Sequence, residues 1–340
     1  MKPEKREEYI RVAKEEALKL IEQRGDIVAV YICGSVARGD MQEYSDVDLR
    51  VIIDTEDDPP VPNFVRKQMV PLEWSYRAKS QYADLTEVLS DPYIPLTMVE
   101  SIVLYDPTNL VHDLARDIKP VYSEPRYVKA RAQNLLKQPE QWLLIMRGSG
   151  DDLLQMPTYR YAWNLRAIVT IMAEVILILT SRSPGGMKLF VSLRAAAEEL
   201  QNEKLFSLGL NAMGAQDITK AEVEESAADI FKAAEYVNSV VDPHDLLHRA
   251  LAPDKREYYR GGTQWLVSRG FHKEAIWALL TLAPLCAAEM QETRIDNELF
   301  EKCISFLHRL GMQPLEYKKR LDILQVWLQE TQAVIEKIVS

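Results

Sequence analysis

The feature that most constrains the fold is a pair of β-rich runs, residues 27–35 and 46–54, joined by a short polar turn. In the second run polar and apolar residues alternate, so the side chains of Asp46, Asp48 and Arg50 share one face of the predicted strand. The alternation therefore predicts a half-buried strand that presents two carboxylates on its polar face.

The residue types around these two carboxylates indicate a chemistry. Carboxylates two residues apart on a strand can bracket hard cations, which lie about 4 Å apart in two-metal sites. Mg²⁺ prefers oxygen ligands and commonly binds one or two carboxylates together with substrate phosphates. Before the acids, Gly34 lets the backbone come close to a phosphate, and Ser35 offers both an N–H and a hydroxyl. The segment predicts a magnesium and phosphate site, and the alternative is a solvated strand face beside a turn.

Further strands are predicted at residues 69–76 and 101–107, where β-branched and aromatic residues cluster. A short helix is predicted through Phe64 and Val65, and Pro71 indicates an edge strand or a bulge. The rest of the chain has helical periodicity, and helices are predicted at 109–119, 126–147, 157–181, 187–202, 219–240, 255–269, 271–289, 296–310 and 316–338.

This order of elements predicts an α+β protein, with a small mixed β-sheet domain and its helices followed by a large all-helical region. We predict three domains, at residues 1–120, 121–250 and 251–340. His244 and His248 lie near the second boundary at a spacing that can chelate zinc, but no third ligand pattern accompanies them, so we predict no zinc site there.

Composition excludes several classes of protein. The 340 residues contain 41 Lys and Arg against 51 Asp and Glu, a net charge of −10, so the chain lacks the basic character that broad nucleic-acid binding needs. Its three cysteines are widely spaced, which predicts neither a disulfide framework nor a zinc site and fits a reducing cytoplasm. The N-terminus lacks an apolar signal core, and the longest apolar run, 167–180, contains Glu174, so we predict a buried helix and no membrane span.

The segment GSVARGD followed by SDVDL resembles the signature of the DNA-polymerase-β-like nucleotidyltransferase superfamily. That signature is an apolar strand, Gly-Ser, a spacer of roughly ten residues, and Asp-x-Asp among apolar neighbours; here it covers roughly residues 26–106. The two-part layout with a helical C-terminal region resembles the bacterial aminoglycoside nucleotidyltransferases of the kanamycin and streptomycin type.

The resemblance implies a transfer of a nucleoside monophosphate, expected to be AMP from ATP, to an acceptor hydroxyl with release of pyrophosphate. It implies two Mg²⁺ ions held by Asp46, Asp48 and a third acid on a later strand, a position that Glu73 matches. Whether Glu73 is a metal ligand or the general base stays open. The Gly-Ser turn would hold the phosphates, and Arg38 would place either that loop or a phosphate.

The sequence leaves the acceptor open. A small hydroxylated cation, such as an aminoglycoside-like compound, suits the acidic chain; the alternatives are a protein or tRNA target, or a regulatory, antitoxin-like binding module with the same fold. The intact acids argue against the binding module. The helical region is expected to choose the acceptor, with Asn164, Glu174 and nearby tyrosines as candidates for the pocket wall. A homodimer is left open as an oligomeric state.

Overall fold

The computed structural model describes residues 3–55, 60, 63–183, 185–240, 250–293 and 298–338 of the chain. They belong to two compact units, of which the first ends at Asn134 and the second begins at Leu135. The predicted division at residue 250 adjoins residues 241–249, which also contain His244 and His248 and lie outside the described residues. That division stays a prediction.

The first unit is built around one mixed sheet, as the sequence predicts, but the sheet has five strands where four were predicted. The strands are β1 (Ile27–Cys33), β2 (Val47–Ile53), β3 (Asn63–Lys67), β4 (Val70–Ala78) and β5 (Ile102–Tyr105). Their order in the sheet is β3-β4-β2-β1-β5. β2 and β4 run parallel, whereas the pairs β1–β2, β1–β5 and β3–β4 are antiparallel, so the sheet is mixed.

Helices cover the sheet because apolar side chains point from both of its faces. The helices of this unit are α1 (Pro3–Gln23), α2 (Gly34–Arg38), α3 (Leu85–Ser90), α4 (Ile94–Val99) and α5 (Leu110–Ile118). Val47 and Leu49 belong to the buried cluster that α1 completes. Tyr31 and Cys33 belong to a second cluster, completed by α3, α4 and α5. Strand alternation consequently turns Asp48 toward the face of the second cluster.

The predicted helix at Phe64 and Val65 is wrong, because both residues lie in β3. β3 and β4 are joined by a tight turn in which Gln68 has a φ of 48° and Met69 a φ of 68°. Hairpin turns with two positive φ angles usually contain Asn or Gly. Since the turn contains neither residue type, the hairpin could not be predicted from the sequence.

The prediction from Pro71 also needs a correction, because β4 is not an edge strand. It pairs with β3 on one side and with β2 on the other. The pairing with β2 begins only at Leu72, one residue after the proline. Pro71 is tolerated in an inner strand because the missing N–H falls before the second ladder starts.

The second unit is helical, as predicted. The helix α6 (Pro125–Gly148) spans the division between the units, and the helices that follow are α7 (Gly150–Gln155), α8 (Thr158–Leu179), α9 (Leu189–Glu199), α10 (Glu203–Met213), α11 (Lys220–Val240), α12 (Pro253–Ser268), α13 (His272–Glu292), α14 (Glu298–Arg309) and α15 (Tyr317–Glu336). α10 was not predicted from the sequence. A Cβ at Gly209 would lie 3.1 Å from both Leu193 and Trp327, so a glycine that weakens the local helix propensity is needed for close packing.

Among the described residues α8 is the one helix long and apolar enough to cross a membrane by length and composition alone, with a mean hydropathy of 1.8. Of the 18-residue window that passes this test, 56% is buried inside the protein, as in the core helix of a soluble protein. Tyr161 of α8 is fully buried and stacks on Tyr317 with ring centroids 3.5 Å apart. This tyrosine is therefore part of the core and not of a pocket wall.

Candidate functional site

The turn at the end of β1 packs directly against Asp48. The register places Cys33 opposite Asp48 across β1 and β2, and Gly34 follows with a φ of +69°. A Cβ on Gly34 would lie 2.0 Å from Asp48 Oδ2. Both the left-handed backbone and this contact restrict the position to glycine. The structure thus brings the Gly-Ser turn and Asp48 together.

The two aspartates stand at the start of β2 but have different neighbours. Asp46 directly precedes the strand and is 7% exposed, whereas Asp48 lies inside it and is half-buried. Asp48 acts electrostatically on the Cys33 thiol and on the Arg50 guanidinium. Burial raises the pKa of Tyr9 on α1, and the charge of Asp46 contributes in the same direction. The two carboxylates are therefore close in sequence without sharing one environment.

Glu73 is brought beside Asp48 by strand pairing. The parallel register of β2 and β4 makes Asp48 and Glu73 direct partners. Neighbouring strands lie about 4.8 Å apart, and residues in register in a parallel pair project from the same face. Asp48 and Glu73 are 25 residues apart in the sequence and thus become neighbours on one face of the sheet.

The metal-binding role of Asp46, Asp48 and Glu73 stays a prediction. Within the described parts of the chain, no set of three or more His, Cys, Asp or Glu side chains is arranged to hold a metal ion. What the sheet brings together is the Asp48–Glu73 pair, and Asp46 directly precedes β2. Carboxylate oxygens are the ligand type that Mg²⁺ prefers, and the Asp48 carboxylate packs directly against Gly34.

The short helix α2 carries Ser35 and is held in place from α1. Arg6 donates from Nε to the carbonyl of Val36 at 2.7 Å and from Nη2 to that of Ala37 at 2.9 Å. Ser35 accepts backbone hydrogen bonds from Gly39 and from the residue after it. A cation at the C-terminal carbonyls of a helix is favourable. Arg6 could not be predicted from the sequence, because nothing local links residue 6 to residue 36.

Arg38 at the end of α2 is engaged by two acids. Its Nη1 donates to Glu100 Oε2 at 2.8 Å, and its Nε lies 3.3 Å from Asp40 Oδ1. Burial alone would lower the pKa of Arg38, but the hydrogen bond and charge of Glu100, followed by the charge of Asp40, raise it overall. Burial raises the pKa of Glu100 more strongly than Arg38 lowers it. These contacts connect α2 to the segment before β5. Arg38 was predicted to place either the loop or a phosphate, and these contacts are of the first kind.

Cys33 and Arg50 lie on the same sheet face as Asp48. Burial raises the pKa of the Cys33 thiol to about 12, so the thiol stays protonated and is not a nucleophile at neutral pH. Arg50 is half-buried, and its Nη1 is buried without a hydrogen-bond partner in the described residues. The face therefore combines the two carboxylates with the cation of Arg50, and Arg77 lies farther along it, opposite Ile52.

Comparisons with known proteins place this site in a family context. Residues 15–106 match the family model for Polymerase beta, Nucleotidyltransferase, and the matched range contains the turn, both aspartates and Glu73. No curated protein matches the chain. A solved nucleotidyltransferase-like protein from Exiguobacterium sibiricum 255-15 is similar at 10% identity and a TM-score of 0.31, over 88% of this chain and 87% of that one. A likeness at that level supports no inference about this chain.

Proposed function

We propose that this protein is a nucleotidyltransferase that moves a nucleoside monophosphate, AMP from ATP in the expected case, to a hydroxyl of an acceptor and releases pyrophosphate. One observation carries the proposal: the Gly34 turn packs against Asp48 Oδ2, and the sheet register sets Glu73 beside the same aspartate. A turn that leaves its backbone accessible next to paired carboxylates suits a metal-bound triphosphate. The family match over residues 15–106 supports the same chemistry.

Asp46, Asp48 and Glu73 are the residues that would hold Mg²⁺. When bound, the ion supplies positive charge to the phosphates and lowers the pKa of the acceptor hydroxyl. The three carboxylates supply the ligand type that this ion prefers.

The chain's own groups then account for the remaining steps. The backbone N–H groups of Gly34 and Ser35, with the Ser35 hydroxyl, donate to phosphate oxygens and orient the leaving pyrophosphate. The acceptor oxygen forms a bond to the α-phosphorus while the bond from that phosphorus to the bridging oxygen breaks. Glu73 receives the hydroxyl proton if it is not occupied as a ligand. Arg38 and Arg6 keep the turn in position.

For the acceptor we propose a small, cationic, hydroxylated molecule of the aminoglycoside type. The chain carries a net charge of −10, which attracts cations and disfavours a polyanionic acceptor. We propose further that acceptor choice resides in the helical unit, where Asn164 and Glu174 are half-buried on α8.

The test is mass spectrometry of acceptors after incubation with each nucleoside triphosphate and Mg²⁺. We expect an acceptor mass gain of one nucleoside monophosphate and an equal release of pyrophosphate. Asp46→Asn and Asp48→Asn should lower the rate by a factor on the order of 10² or more, because each removes a charged ligand used in the transition state. Failure of the wild-type chain to modify any acceptor, or full turnover in both variants, would contradict the proposal.

Asp54→Asn is the matched control. Asp54 follows directly at the far end of β2, where it is exposed and pairs with Lys79 at 2.8 Å. Its replacement changes the net charge by the same amount as the other two substitutions, and we expect it to leave the transfer rate unchanged.

A further inference from the structure

Arg50 occupies a central position on the face that carries the two register-paired acids. It lies two residues after Asp48 on β2, and strand alternation therefore gives both side chains the same face. Across the sheet its register partners are Tyr31 on β1 and Ser75 on β4, and Ser75 lies two residues after Glu73. A cation thus stands next to the acids on the strand that carries Asp48.

The Arg50 guanidinium lies beside the acids of this face. The side chain is half-buried, and its Nη1 is buried with no hydrogen-bond partner among the residues that the structure describes. Its acidic neighbours are Asp48, two residues before it on the same face, and Glu73, the register partner of Asp48 on β4. A desolvated guanidinium is costly unless opposite charges compensate it, and the acids of this face provide that compensation.

We propose that Arg50 is a built-in counter-cation for Asp48 and Glu73, a positioning residue that offsets their mutual repulsion and weakens the binding of free Mg²⁺. The inference rests on the proposed function, since it assigns to Arg50 an effect on the metal that the transfer requires. A fixed positive charge beside two carboxylates reduces their attraction for a second cation. The triphosphate restores that attraction, so Mg²⁺ enters the site together with the nucleotide and not alone.

The first experiment titrates Mg²⁺ alone into the full chain and follows binding by calorimetry. Arg50→Met removes the charge while keeping an unbranched apolar side chain, and we expect Mg²⁺ to bind at least about fivefold more tightly than to the wild type. Arg50→Lys keeps the charge and should bind like the wild type. Arg77→Met is the matched control, because Arg77 lies on β4 of the same sheet and its charge faces Asp91 at 3.9 Å. Equal or weaker Mg²⁺ binding by Arg50→Met than by the wild type would overturn the inference.

The second experiment needs no metal. Glu73→Gln is introduced into the wild type and into Arg50→Met, and unfolding is measured in urea with EDTA present. If Arg50 and Glu73 compensate each other, Glu73→Gln destabilises the wild type more than it destabilises Arg50→Met. The same loss in both backgrounds means that Arg50 only packs against the sheet, which overturns the inference. Where Arg50→Met does not fold, Arg50→Gln takes its place in both experiments.

The two experiments separate this inference from the proposed function. If no variant binds Mg²⁺, with or without a nucleotide, the proposed function fails, and the unfolding comparison alone then decides whether Arg50 compensates Glu73. If the wild type transfers a nucleotide but Mg²⁺ binding and the effect of Glu73→Gln are both insensitive to Arg50, the inference fails and the proposed function stands.

Discussion

At the scale of single residues, the site depends on one close contact. Gly34 lies so close to the Asp48 carboxylate that no side chain would fit there, and its backbone lies in the left-handed region. Gly39 ends the same short helix with a similar φ of +82°, but a Cβ there would meet only Arg6 Nε at 3.8 Å. The two glycines thus have the same backbone requirement, and only the first contacts an acid of the site.

This difference gives a prediction for Gly34→Ala. Both Gly34→Ala and the control Gly39→Ala should lose about 1–2 kcal/mol of stability, the cost of a left-handed L-residue. Gly34→Ala should also displace the Asp48 carboxylate and lower the transfer rate by about tenfold or more, because small misplacements of reacting groups are costly. Urea unfolding and the transfer assay measure the two effects. Equal transfer rates in the two variants would show that the contact with Asp48 has no catalytic importance.

At the scale of elements, α2 is too short to be stable by itself and depends on its neighbours. Arg6 of α1 satisfies two of its carbonyls, and Arg38 ties it to Glu100. Neither link could be derived from the sequence, because the partners lie 30 and 62 positions apart. The turn that would bind the phosphates is therefore positioned by two arginines that need not touch the nucleotide.

Arg6→Met tests this arrangement. It should lower the stability by about 2 kcal/mol, because it removes two hydrogen bonds from a charged donor. It should also raise the KM for the nucleoside triphosphate more than it lowers kcat, since the acids themselves remain in place. The control is Arg11→Met on the same helix, where the exposed pair with Glu15 should contribute less than about 1 kcal/mol. An unchanged KM in Arg6→Met would argue against a role of Arg6 in placing the turn.

The start of α11 provides a second test at this scale. Glu222 Oε2 accepts from the backbone N–H of Thr219 at 2.8 Å, and Glu222 N donates to Thr219 Oγ1 at 3.3 Å, which is a capping box. Arg309 of α14 also donates to Glu222 Oε1 at 2.7 Å. The hydrogen bond from Arg309, followed by those from Thr219, lowers the pKa of Glu222 to about 2.

The stability that Glu222 contributes should therefore depend on pH. Because its pKa is lower in the folded state than in the unfolded state, the contribution is complete at neutral pH and is lost as the pH falls from about 5 toward 2. Glu222→Gln should be less stable than the wild type at pH 7, and the difference should shrink over that range in urea unfolding. The exposed Glu225 on the same helix is the control, and Glu225→Gln should show no such trend. Thr219→Ala should cost about 1 kcal/mol.

At the scale of the whole molecule, the division into two units predicts where the chain can be cut. Arg131 is buried and donates from Nη2 to the Tyr122 carbonyl at 2.6 Å and from Nη1 to the Leu89 carbonyl at 3.2 Å. The first half of α6 thus belongs to the first unit, which contains the sheet. A boundary at residue 120, as the sequence predicted, would remove this arginine from the carbonyls that it satisfies.

We expect a fragment of residues 1–134 to unfold cooperatively and to retain binding of the nucleoside triphosphate. A fragment of residues 1–122 should be less stable, because the Leu89 carbonyl loses its charged donor and an orphaned buried group costs about 1–3 kcal/mol. Circular dichroism during urea unfolding and calorimetric nucleotide titration make the comparison. Equal stability of the two fragments, or loss of nucleotide binding in a well-folded longer fragment, would contradict this division of labour.

The sequence by itself determined the local part of this protein. Period-two alternation predicted β2 and its polar face, glycine marked the turn before it, and helical periodicity predicted most of the second unit, because each of these signals depends on neighbours within a few residues. The tertiary structure alone decided which distant residues meet. It set Glu73 beside Asp48, tied Arg6 to α2, and made a strand at residues 63–67 and a helix around Gly209. Strand register and long-range packing are fixed by the collective burial of side chains, which no local pattern encodes.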